Sequence, residues 1–83
     1  MESLELNLKK QLESRNIKVI DFYPKNELHD AILYITDNIH IQIGHDYTFV
    51  VVKKRGRFYF YESSLDIEQI ISDLHKAVLT LSS

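Results

Sequence analysis

Apolar residues open the chain at Leu4, Leu8 and Leu12, a spacing that draws one stripe along a helix. Residues 2–15 hold no Gly or Pro and are rich in good helix formers, and Asn16 suits a left-handed stop. The apolar segments that follow are shorter and carry β-branched and aromatic side chains, which predicts strands at 17–23, 31–36, 39–43, 47–54 and 57–62. Pro24 ends the first of them. At the far end Ile67, Ile70, Ile71, Leu74, Val78 and Leu81 return to a helical period, behind Ser63, Ser64 or Asp66 as N-cap.

Three short connections, Asp37-Asn38, Gly44-His45-Asp46 and Arg55-Gly56, make residues 31–62 an antiparallel meander, because parallel neighbours need long crossovers. A type I′ turn at Asp37-Asn38 would set Tyr34 opposite Ile41 and Ile32 opposite Ile43. The last hairpin would set Val51 opposite Phe60, Lys53 opposite Phe58, Val52 opposite Tyr59 and Val50 opposite Tyr61. The predicted fold class is α+β: an N-terminal helix, a five-stranded antiparallel β-meander and a C-terminal helix, in a single small domain over residues 1–83.

Both helical stripes pack naturally on one sheet face, and one helix on each face is the alternative the pattern allows. With one face left open, alternation places Leu33, Ile35, His40, Gln42, Val50, Val52, Tyr59 and Tyr61 on it. Ile32, Tyr34, Ile39, Ile41, Ile43, Phe49, Val51, Phe58 and Phe60 then point to the helices, and the two sets can exchange. Either way the last two strands are apolar or aromatic on both sides, whereas a merely solvated face should be polar.

Composition narrows this picture. A chain of 83 residues holds one core, and 45% hydrophobic with 27% charged residues is the composition of a globular domain and argues against a disordered chain. The absence of cysteine excludes disulfides and thiolate zinc sites, and fits an intracellular protein. No apolar run reaches the roughly 18–20 residues of a membrane span, and the acidic start Met1-Glu2-Ser3 is unlike a secretion signal. The expected location is the cytoplasm, with no membrane partner.

The net charge of −2 hides a polarised chain. Residues 53–57 hold four of the ten basic side chains, while the rest of the chain sets six basic against twelve acidic ones. His29-Asp30, His40 and His45-Asp46 are ligand types without a metal-site spacing. No serine sits in a nucleophile elbow, and two glycines cannot build a phosphate loop. No catalytic residue, metal or cofactor is therefore expected. The expected function is a non-enzymatic protein-binding module of the inhibitor, antitoxin, immunity or anti-defence type. Val50, Val52, Tyr59 and Tyr61 would anchor the contact, and Lys53, Lys54, Arg55 and Arg57 would steer an acidic protein or a second copy of the chain. The alternative is a nucleic-acid module, with the same hairpin neutralising phosphates and the tyrosines stacking on bases.

Overall fold

The computed structural model describes residues 3–83. The elements are α1 (Leu4–Ser14), β1 (Asp21–Tyr23), β2 (Ala31–Thr36), β3 (Ile39–Ile43), β4 (Thr48–Lys54), β5 (Arg57–Ser63) and α2 (Ile67–Ser82). The strands form one antiparallel sheet in chain order, β1-β2-β3-β4-β5, so the predicted α+β layout of helix, five-strand meander and helix is the observed one. Glu2, where the sequence pattern starts the first helix, lies outside the described residues.

Helix α1 is capped by Ser3, whose Oγ accepts the Leu6 N–H at 3.2 Å. It closes on a Schellman motif: Ile17 N–H bonds the Leu12 carbonyl and Asn16 N–H bonds the Glu13 carbonyl, with Asn16 at φ 62°. This closure uses the start of the predicted first strand. Ile17 packs against the edge of the core, Val19 enters it, and only Asp21–Tyr23 remains for the ladder. Leu8 and Leu12 are buried, each worth about 1.5–3 kcal/mol of transfer energy. Leu4, the first residue of the predicted stripe, is exposed; Glu5 is buried instead, and its carboxylate accepts the Lys25 N–H, tying the β1–β2 loop to the helix.

Helix α2 is capped by Asp66, whose Oδ2 accepts the Gln69 N–H. Its buried line runs through Ile70, Asp73, Leu74 and Ala77, and Val78 of the predicted stripe is exposed. The buried Asp73 carboxylate keeps its partners on its own helix, Gln69 Nε2 at 3.1 Å and Lys76 Nζ at 3.5 Å.

Both helices lie on the same side of the sheet. Leu8 and Leu12 of α1 and Ile70, Leu74 and Ala77 of α2 share one cluster with Ala31, Leu33, Ile39, Ile41, Ile43, Val50 and Val52. The predicted β4–β5 register is observed pair for pair. The predicted β2–β3 register is not. Tyr34 lies opposite His40, Ile32 opposite Gln42, and the register shifts between Tyr34 and Thr36, which leaves Ile35 as a bulge. The cause is Thr36. Its Oγ1 accepts the N–H groups of Asn38 and Ile39, a hydroxyl-closed turn in which neither Asp37 nor Asn38 goes left-handed.

Candidate functional site

The bulge reverses the facing of β2 relative to β3, and the connection over residues 44–47, closed by the Gly44 N–H on the Tyr47 carbonyl, sets Ile43 opposite Thr48 and Ile41 opposite Val50, which reverses β4 and with it β5. Leu33, Val50, Val52 and Tyr61 face the helices together with Ile39, Ile41 and Ile43. The open face is built from Tyr23, Ile32, Tyr34, His40, Gln42, Phe49, Val51, Lys53, Phe58, Phe60 and Glu62, cross-strand neighbours in three rows.

Its centre is a layer of rings. Tyr23 meets Tyr34 edge-on at 6.3 Å between centroids, Tyr34 meets His40 at 5.0 Å, and Phe49 meets Phe60 edge-on at 5.9 Å. Val51 is only 1% exposed on this helix-free side, flanked by His40 and Phe60 in the adjoining strands. Burial also holds the His40 imidazole below its ordinary pKa, so it is neutral at physiological pH. At the margins of this layer three rings reach solvent: Tyr23 is 46% exposed, Phe58 55% and Phe60 58%. Lys53 Nζ lies 5.9 Å from the Phe58 centroid, within reach of a cation–π contact.

One rim of the face is acidic and polar. Asp30 Oδ2 accepts Gln42 Nε2 at 2.7 Å and the Tyr47 hydroxyl. These two bonds hold the Asp30 carboxyl below the usual range, and the same bond raises the Tyr47 phenol. Gly44 makes the arrangement possible: a Cβ there would sit 2.1 Å from the Tyr47 ring. At the β1–β2 side an open hollow of about 490 Å³ is lined by Ile20, Asp21, Tyr23, His29, Ile32, Tyr34 and Asp37. Asn26 Oδ1 accepts two backbone N–H groups, so its Nδ2 donates to His29 Nε2, and His29 Nδ1–H donates to the Asp30 carbonyl.

The residues singled out from sequence are separated by this geometry. Val50 and Val52 are fully buried in the core and have no surface to offer. Tyr61 is half-buried on the helix side, its hydroxyl bonded to Thr80 Oγ1 of α2. Tyr59 is 42% exposed but also on the helix side. The basic hairpin is divided as well. Lys53 is on the open face and Arg55 at the turn, whereas Lys54 Nζ is bound to the Thr80 and Ser83 carbonyls of α2. Arg57 pairs with Lys54 on the helix side.

On the open face the rings that reach solvent are Phe58 and Phe60, which alternation assigns to the core, and Tyr23, which it leaves unassigned. The signal was present but two-edged: Phe49-Val50-Val51-Val52 is apolar on both sides, so alternation could not choose. Among the described residues no three His, Asp or Glu side chains converge as a metal site, and no helix is long and apolar enough to cross a membrane. No protein-family model, curated protein or solved structure matches this chain.

Proposed function

We propose that this chain is a small non-enzymatic protein-binding module whose contact surface is the open sheet face. The observation that carries the reading is the set of Tyr23, Phe58 and Phe60, each about half exposed on the side of the sheet that neither helix covers. Exposed apolar surface of this kind is unfavourable in water, and aromatic residues are the commonest anchors of protein contacts. Lys53 and Arg55 at one end of the face favour a partner with an apolar patch bordered by carboxylates. That chemistry suits an inhibitor, antitoxin, immunity or anti-defence role.

The nucleic-acid reading is weaker for a specific reason. Lys54 is engaged with α2, and Asp21 and Glu62 share the face on which phosphates would have to lie. The test is capture of partners from the native host with the wild-type chain and with the double variant Tyr23→Ser/Phe60→Ser, before and after nuclease. A bound protein that survives nuclease and is lost with the double variant supports the reading, provided the circular dichroism of the variant is unchanged. A partner held equally by both chains overturns it. Binding abolished by nuclease, with a log–log salt slope of about −3 to −4, transfers the function to nucleic acid.

A further inference from the structure

We propose that two copies of this chain pair through their β5 edges and form one continuous antiparallel sheet. This contact uses the rim of the sheet and goes beyond the partner-binding face.

The two edges of the sheet differ in kind. At β1 the strand is three residues long, Pro24 follows it, and the Asp21 carboxylate already accepts the Phe22 N–H. At the other edge β5 runs for seven residues, Arg57–Ser63, and among the described residues no strand lies beyond it. The two-residue turn Arg55-Gly56, left-handed at both positions, makes Lys54 and Arg57 a pair that exchanges both backbone bonds. Alternation then directs the N–H and C=O groups of Tyr59, Tyr61 and Ser63 to β4, and those of Phe58, Phe60 and Glu62 outward. Among the described residues no turn, loop or cap takes up these outward groups.

Antiparallel pairing of two identical edges places a two-fold axis perpendicular to the sheet, so open face continues into open face and residues opposite each other must match in parity. Only an axis at Phe60 pairs every outward residue. Phe60 then exchanges both bonds with Phe60 of the second copy, and Phe58 exchanges both with Glu62 of the second copy. An axis at Tyr59 would send Glu62 to the turn glycine, and one at Tyr61 would carry Phe58 past the end of the strand. The charges agree with the Phe60 register. Lys53 lies over Phe58 from the β4 side, and Glu62 of the second copy arrives on the other side of the same ring. The exposed Phe60 rings become cross-strand neighbours, and Tyr59 lies beside Tyr61 of the second copy.

The test is the oligomeric state of the purified full chain by sedimentation velocity, from micromolar to submillimolar concentration, with hydrogen exchange at each end of the range. The expected wild-type species at high concentration has twice the chain mass of 9.8 kDa, and its Phe58, Phe60 and Glu62 amides become protected on association. Phe60→Pro removes an outward N–H and no bond to β4, so it should weaken association roughly 10- to 100-fold with the secondary structure retained. Glu62→Lys should weaken it as well, and Lys53→Glu/Glu62→Lys together should restore it, a readout that does not depend on proline. A wild-type chain that stays monomeric throughout, or a dimer whose three outward amides exchange freely, overturns the proposal. Loss of association with Glu62→Lys that the second substitution fails to restore overturns the Phe60 register. Since the measurement needs no other protein, it can fail while the partner-binding reading stands, and the reverse holds too.

Discussion

Single residues in this chain do work that their sequence neighbours disguise. Lys54 belongs to a run of cations that reads as one charged tip, yet its ammonium group sits at the C-terminal end of α2. It bonds the Thr80 carbonyl at 2.8 Å and the Ser83 carbonyl beside it. The last turn of α2 has no basic residue of its own, so a strand supplies the charge that the helix dipole favours there. Lys54→Met keeps the aliphatic stem and removes the charge. It should cost about 0.3–1 kcal/mol, with each kcal/mol lowering Tm by about 4–8 °C in a domain of this size. Faster hydrogen exchange confined to the end of α2 would identify the cause, and capture of a partner by the open face should be unaffected. Loss at Lys53→Met, on the other side of the sheet, should show the opposite pattern: stability kept and partner affinity reduced.

Elements are set by how they end. The α1 stop depends on Asn16 in the left-handed region, which a residue with an ordinary Cβ enters at a cost of roughly 1–2 kcal/mol. Asn16→Ala should therefore lower the denaturation midpoint, whereas Asn16→Gly should leave it unchanged or raise it slightly; equal effects of the two would show that the φ angle is not the issue. This stop was readable in the sequence, as were the two helices, the meander and the β4–β5 register, because a Gly-containing two-residue turn admits one pairing. What escaped was local and physical. The Thr36 hydroxyl competes for the amides of Asn38 and Ile39, and the Ile35 bulge that results moves Tyr34 from the side of Ile41 to that of His40. A shift of one residue turns every side chain over; this one turned β2 against β3, and a second, where the connection 44–47 sets Ile43 opposite Thr48, turned β4 and β5, so strands placed correctly in the chain carried a wrong assignment of faces. The candidate site suffered most. Alternation puts Tyr59 and Tyr61 on the open face, but the Tyr61 hydroxyl has a partner on α2 and the bare ring of Phe60 faces out.

For the whole molecule, covering the sheet on one side alone also shapes how stability responds to pH. His40 is half-buried in the ring layer of the open face, and Asp30 is held at its rim by Tyr47 and Gln42; both have folded pKa values below their ordinary ones. For His40 the unfolded chain binds the proton first. Stability is therefore complete above about 6.5 and declines as pH falls, until the folded imidazole itself protonates at its lower value. For Asp30 the favourable contribution is complete above about 3.9 and is lost as pH falls through the lower folded value. Thermal melts across this range should thus show a first decline on the acid side of neutrality and a second in strong acid. His40→Gln should flatten the first and leave the second. Asp30→Asn should reduce the second and leave the first, with a lower Tm at neutral pH because a neutral amide accepts the Tyr47 and Gln42 bonds less well. A first decline that persists undiminished in His40→Gln would show that His40 is not its origin, and the ring layer would then not be the buried environment that the packing of Tyr34 and Val51 around His40 describes. A partner seated on the open face would bury His40 further and steepen the first decline, so the same melts repeated with a bound partner connect the acid response to the surface proposed for recognition.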